Sequence, residues 1–289
     1  MTVMTFNSPI EFERRVEPFL IKSEALHNLP LGILQRLVQQ QDYYDQEPVL
    51  GYIHERGDIQ AVVIRTSPHM WVIATNHTPS DSVLEEMVRF FADNHHDVPG
   101  LIGAPETITR LADRWRELTG RPYHIAMQQK VYQLDAVGPY NRGNGFLKLA
   151  EAEDLALATR WLYAFGLEAG IDITEEYAQK VTEQNIKHKK LYFWVVDGQV
   201  VSMVGQARST RNGTTINSVY TPDKWKRRGY ATCAVASLSE KLLGEGYQFC
   251  SLYTDLSNST SNNIYQKIGY YPIGDSLVVR FNGEDNTNT

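Results

Sequence analysis

Lys226, Arg227 and Arg228 stand directly before Gly229, and beyond Gly229 the residues Ala231, Val235, Leu238 and Leu242 recur at helical spacing. A helix start of this kind suits an anion. The first helical N–H groups have no partner within the helix, they lie at the positive end of its dipole, and a glycine lets backbone approach a ligand closely. Phosphate groups bind in such places. Taken alone, the same residues also read as a solvated basic helix start, which is what most charge runs are.

The segment that leads into this turn is a strand at 214–221. Its alternation falters at Asn217-Ser218, Pro222 terminates it, and Thr221, preceding proline, is pushed into an extended conformation. The helix runs on to Gly244 and Gly246. Strand end and helix start therefore meet at the cationic turn.

Around this site the second half of the chain reads as strand 146–150, helices 152–168 and 174–188, and strands 191–197, 200–208 and 214–221. Helix 229–243, strand 248–254, helix 259–268 and a β region at 270–281 follow. The first half reads as two helices between Ile10 and Gln40 divided near Pro30, then strands 49–54, 59–66 and 70–74. A helix follows Pro79, with Ser82 and Glu85 at capping-box spacing. Strand 101–103, helix 105–118 stopping at Gly120, and strand 127–134 complete it. Asn141-Arg142-Gly143-Asn144-Gly145 has the composition of a linker. The halves share one element order, which predicts two copies of one fold, although no residue-level repeat accompanies it.

Bulk properties narrow the function. The 289 residues carry a net charge of −6, divided as 13 Lys/Arg against 18 Asp/Glu up to residue 145 and 15 against 16 after it. A general nucleic-acid binder needs the opposite balance, so a nucleic-acid module using Lys224 to Arg228 is disfavoured. The two cysteines, Cys233 and Cys250, form no metal-ligand or disulfide pattern and read as small core residues rather than acyl carriers. No leader segment and no apolar run of membrane-spanning length is evident, which predicts a cytoplasmic protein with neither metal nor membrane as partner.

Val219-Tyr220-Thr221-Pro222 followed by Lys226-Arg227-Arg228-Gly229-Tyr230-Ala231 resembles the acyl-CoA motif of the GNAT superfamily of N-acyltransferases, in which Arg/Gln-x-x-Gly-x-Gly/Ala opens a helix after a strand. The resemblance continues through Ser251–Asp255 and from Asn258 to Tyr270, where the family has a strand, an Asn-to-Tyr helix and a Gly-aromatic ending. Two motifs in the right order are far more specific than either alone. Lys226 departs from the pattern at the usual Arg or Gln, and Arg227 stands where glycine is frequent.

The resemblance implies an α+β fold of two tandem GNAT-like domains, each a mixed, mostly antiparallel twisted sheet flanked by helices. The domains are expected at 1–140, a degenerate copy, and 146–289, with 141–145 between them. It further implies transfer of an acetyl or other acyl group from acetyl-CoA to a small-molecule or peptide amine, by direct attack in a ternary complex. The alternative is a CoA-binding regulatory or scaffold protein with an inactive site. Either is expected as a monomer or homodimer.

Within that frame Val219, Tyr220 and Thr221 offer main-chain groups to the pantetheine arm, with a strand N–H near Val219 polarising the thioester carbonyl. Lys226, Arg227, Arg228, Gly229, Tyr230 and Ala231 hold the pyrophosphate. Asn258 contacts the cofactor or caps the helix after it. Tyr265 matches the family tyrosine beside the CoA sulfur and serves as general acid, or else packs as a core residue. The proton acceptor for the amine is sought among Glu168, Glu175 and Glu176, with Glu168 preferred; the latter pair also suit a helix N-terminus.

Overall fold

The computed structural model describes residues 2–39, 46–171 and 173–282. The chain opens with β1 (Thr2–Phe6), α1 (Pro9–Leu20), α2 (Asn28–Gln39), β2 (Val49–Glu55), β3 (Asp58–Arg65) and β4 (Trp71–Ala74). It continues with α3 (Asp81–Asp93), β5 (Gly100–Gly103), α4 (Pro105–Thr119) and β6 (Tyr123–Leu134). The second series is β7 (Phe146–Leu149), α5 (Leu155–Glu168), α6 (Glu175–Lys187), β8 (Leu191–Val196), β9 (Gln199–Ser209) and β10 (Gly213–Tyr220). After these come α7 (Tyr230–Gly244), β11 (Phe249–Asp255), α8 (Ser259–Ile268) and β12 (Tyr271–Phe281).

The two series have the same order, βααβββαβαβ, once β1 is counted. Sequence reading omits β1 because five residues with an irregular burial pattern carry no clear alternation. Antiparallel pairing with β2, from Thr2↔His54 to Phe6↔Leu50, is what makes them a strand. Each series also turns its first long hairpin on two residues with positive φ, Arg56-Gly57 between β2 and β3 and Asp197-Gly198 between β8 and β9. Such pairs give a turn whose twist matches the strands it joins.

Two compact units result, each with its own core. Unit 1 comprises the residues up to Val131, Asp255–Ser257, and Ile273 to the end of the described chain; unit 2 comprises Tyr132–Thr254 and Asn258–Pro272. This division is not at the Asn141–Gly145 segment expected from composition. Tyr132 and Leu134 pack into the core of unit 2, whereas Leu277, Val279 and Phe281 pack into that of unit 1, where β12 pairs antiparallel with β5. The first unit is thus completed by the last strand of the chain, an exchange that local composition cannot reveal.

In unit 1 the sheet order is β1-β2-β3-β4-β5-β12-β6, with β6 belonging to it as far as Val131 and only β4 and β5 parallel among the registered pairs. Ile53, Val63, Trp71 and Ile73 face α3 and α4, while Leu50, Val62, Ile64 and Val72 face α1 and α2. That is the period of two expected of a strand covered on both sides. Pro30 does not divide two helices, because it lies in the first turn of α2, where a missing N–H breaks no helical hydrogen bond. Nor does Ser82 cap α3. Ser80 is the N-cap residue, its Oγ lies 2.9 Å from that of Ser82, and Glu85 pairs with Arg114 instead.

In unit 2 the order is β11-β10-β9-β8-β7, with β10 and β11 parallel. Tyr192, Trp194, Val204, Ile216, Cys250 and Leu252 face α7 and α8, and Leu191, Phe193, Val195 and Met203 face α5 and α6. Both cysteines are free and buried, and desolvation raises the pKa of each, that of Cys250 to about 12. Thiols so placed are poor nucleophiles.

Candidate functional site

The pairing of β10 with β11 covers Gly213↔Phe249, Thr214↔Cys250 and Thr215↔Ser251 and stops there, although β10 runs on to Tyr220. Beyond Thr215 the two strands part. On its other side β10 stays paired with β9, but the register slips between Asn217 and Tyr220, and Ser218 within the slip has φ 51°. This is a bulge, which swings main-chain groups out of the ladder. The faltering alternation at Asn217-Ser218 is its mark in the sequence.

The end of β10 is held by a residue that sequence reading does not single out. Ser202, fully buried on β9, donates to the Tyr220 carbonyl at 3.0 Å and lies 2.8 Å from the Thr221 hydroxyl. A serine on a strand face carries no signal of its own, and only the fold brings it to Tyr220. Val219 leans on the cluster beneath α7 and Tyr220 on that beneath α5, where its ring meets Trp161 at 5.9 Å.

After Pro222 a short turn of 3-10 helix, Asp223–Trp225, leads into the cationic loop. Arg227 and Gly229 both have positive φ, 64° and 81°. Gly229 is the N-cap residue of α7 and provides no side-chain cap, so the first amides of the helix lack an internal partner. A Cβ at Gly229 would meet nothing within 4 Å, so glycine is needed here for its backbone angle, not for lack of room. Arg227 and Arg228 are exposed and have no carboxylate partner among the described residues, and Arg228 and Lys224 each lie 5.1 Å from the centroid of the Trp225 indole.

Lys226 is placed otherwise. Its ammonium lies 2.8 Å from Asp223 and 3.0 Å from Glu168 at the end of α5, and these two carboxylates raise its pKa. A lysine engaged twice is a tether between the loop and α5. The neighbouring Arg227 and Arg228 are not engaged in this way among the described residues. Glu168, expected as a base, is the other end of that tether. Its charge also raises the pKa of the Tyr220 hydroxyl, after the larger effect of burial. Glu175 and Glu176 occupy the first turn of α6 behind the Thr174 cap, as charges that favour the helix dipole do.

Asn258 caps α8, its Oδ1 accepting from the Ser261 amide at 3.0 Å. Tyr265, further along α8, is buried with its ring 6.3 Å from Tyr132 and 5.9 Å from Tyr270. Burial pushes its hydroxyl up to about 12, and the Ser261 side chain opposes this by hydrogen bonding. Val219, Trp225 and Tyr230 pack on the same apolar cluster that holds Tyr265, so the loop and α8 share a foundation.

The corresponding place in unit 1 is built differently. β4 and β5 pair at Trp71↔Leu101 and Val72↔Ile102, and Gly103 then lies so close to the Ile73 carbonyl that a Cβ would strike it. The residues after β4 are tied down: Asn76 donates to the Phe19 carbonyl at 2.9 Å and accepts from Ser23 at 3.0 Å. Buried His27, whose pKa is lowered by desolvation, has Nδ1 2.9 Å from the Leu20 carbonyl. At the start of α3, where unit 2 offers cations, Asp81 accepts from Arg110 at 2.7 Å and from Arg114, both reaching over from α4. Those bonds hold its carboxyl below the usual range.

Among the described residues no cluster of three or more His, Cys, Asp or Glu could hold a metal, and no helix is long and apolar enough to cross a membrane. The family model described as FR47-like protein matches residues 194–279. No curated protein sequence matches significantly. Among solved structures, the chain is similar to a GCN5-related N-acetyltransferase from Sphaerobacter thermophilus, with 16% identity, 99% of this chain and 98% of that one covered, and a TM-score of 0.62. It is similar to a GNAT-family acetyltransferase from Colwellia psychrerythraea at 10% identity, with 97% and 99% covered and a TM-score of 0.55. A tandem GNAT protein from the clavulanic acid biosynthesis pathway aligns at 11% identity over 97% of both chains, with a TM-score of 0.56. The fold is therefore that of the GNAT superfamily, present twice in tandem, with the FR47-like segment lying in the second copy.

Proposed function

We propose that unit 2 is an acyl-CoA-dependent N-acyltransferase that moves an acetyl group from acetyl-CoA to an amine, as a cytoplasmic enzyme. The observation that carries this reading is the parting of β10 from β11 beside the uncapped start of α7. An acylated pantetheine arm fits between the strands, and its pyrophosphate meets the α7 amides with Arg227 and Arg228 alongside.

In the reaction the amine nitrogen attacks the thioester carbonyl carbon. The carbonyl oxygen takes up negative charge and is met by a main-chain N–H of the bulge near Val219. As the C–S bond breaks, the sulfur receives a proton from the Tyr265 hydroxyl, the amine gives up its own to solvent water, and solvent returns one to Tyr265. Glu168 braces the loop through Lys226. Glu168→Gln is therefore expected to raise KM for acetyl-CoA several-fold, roughly the loss of one partly exposed ion pair, with little change in kcat. A fall in kcat together with loss of the acidic limb of the pH profile would give Glu168 the base role instead.

Titration calorimetry with acetyl-CoA, paired with thiol release over a panel of amines, tests the reading as a whole. One acyl-CoA per chain is expected, because the equivalent place in unit 1 is closed by Gly103, Asn76 and the Asp81–Arg110–Arg114 group. Binding without thiol release for any amine would favour the regulatory CoA-binding alternative. Two equivalents per chain would refute the closed first site.

A further inference from the structure

A cavity of about 860 Å³ lies within unit 2, lined by no residue of the β10–β11 parting. It is bounded by the outer face of α7, the edge strand β7 and β8, and it belongs to neither the phosphate loop nor the α8 tyrosine. Its size falls in the range of small-molecule pockets, ~300–1,000 Å³. The lining is mixed: Phe146, which is 58% exposed, and Leu147 give an apolar side over the buried Tyr192 and Trp194, and polar and charged side chains face it. Gly145 shapes it: any side chain there would run into the Trp194 indole, so the backbone passes flat against the ring.

The charges around the cavity settle which polar end an occupant needs. Arg142 is bound to Glu240 and to the Tyr140 hydroxyl, and Lys241 is bound to Glu245. Those pairs cancel. Lys189 also lines the cavity, and it has no carboxylate partner among the described residues. Its backbone is fixed by the amide's bond to the Ile186 carbonyl at 3.0 Å and by its own carbonyl accepting from the Tyr192 hydroxyl at 3.1 Å.

Lys189 is also an unfavourable residue for its position. It follows the α6 C-cap with φ 56°, where glycine or asparagine is the easy choice. The helix dipole does not require it, since Lys187 already stands in the last turn of α6. A strained residue that keeps a long cationic side chain beside the apolar side of this cavity points to a use for that charge.

We propose that this cavity binds an amphipathic monoanion, a compact aromatic or medium-chain aliphatic body ending in a carboxylate or sulfonate. The body lies on Phe146 and Leu147, over the buried Tyr192 and Trp194, and the anion meets Lys189. The inference is independent of acyl-CoA binding.

The test uses the full chain and the fluorescent aromatic sulfonate 8-anilinonaphthalene-1-sulfonate. Decanoate should displace the bound probe, and neither decyltrimethylammonium nor CoA should do so. Lys189→Gly should weaken probe binding about tenfold, the scale of one charged hydrogen bond, while leaving Tm equal to or above wild type because glycine is at ease at positive φ. A purely structural lysine could not give both results. Ser237→Trp, which fills the cavity from α7, should abolish binding. If that variant does not fold, Lys189→Gly decides the matter. Absence of probe binding, binding unchanged in Lys189→Gly, or equal displacement by the cationic detergent would each overturn the proposal.

Discussion

Replacing Gly229 by valine is expected to weaken acetyl-CoA binding by about thirtyfold, or ~2 kcal/mol. The glycine has φ 81°, and an L-residue held in the left-handed region costs ~1–2 kcal/mol, with β-branching adding to this. Since open space surrounds the position, the variant meets no clash. The chain instead avoids the strain by rotating the residue, and the amides at the start of α7 turn with it. Gly229→Asn supplies the control, because asparagine tolerates this conformation and should retain most of the affinity. Calorimetry on both variants, with far-UV circular dichroism to confirm that α7 persists, makes the comparison. Valine binding as tightly as glycine would show that the α7 amides do not hold the cofactor.

Tyr265→Phe is expected to lower kcat about a hundredfold, at the lower end of general-acid effects, with KM for acetyl-CoA nearly unchanged. The phenyl ring keeps its place between Tyr132 and Tyr270, so folding should be little affected. The pH dependence is informative. With its pKa near 12, Tyr265 remains a proton donor through the whole neutral and moderately alkaline range. Its titration should therefore add no alkaline limb to kcat below about pH 11.

The same shift governs stability in one window. The folded pKa is raised above the unfolded value near 10, so the stabilising effect of the protonated form is complete below pH 10 and is lost as pH rises toward 12. Tyr265→Phe removes this titration and should flatten the fall of Tm in that interval. Cys250 and Tyr271, also raised to about 12, continue to titrate there. An unchanged kcat in the variant would make Tyr265 a core residue only.

Much of the arrangement was legible in residue order because it depends on neighbours in the chain. The left-handed turn at Gly229, the bulge near Ser218, the cap at Asn258 and the helical face of α7 each arise within a few residues, and each left a sign: a glycine before an apolar stripe, a break in alternation, an asparagine before a helix. The capping of α3 was misread because Ser80 and Ser82 are equally suitable caps by type, and only the geometry chose between them. β1 escaped notice because its partner, β2, lies some fifty residues away.

What sequence by itself determined, then, is the cationic turn into α7, the strand before it and the order of elements in both copies apart from β1, all set by local backbone preference and periodicity. What the tertiary structure alone decided is which charges remain available and where the copies close. Folding sets Glu168 against Lys226, leaves Arg227 and Arg228 exposed with no carboxylate partner among the described residues, puts Ser202 beneath Tyr220, and seats Asp81 between two arginines at the start of α3. It also gives β12 to unit 1 and places Lys189, which has no carboxylate partner among the described residues, at the cavity beside β7. The physical reason is common to these cases: an ion pair or a strand pairing depends on distance in space, and residues far apart in the chain acquire that distance only when the cores form.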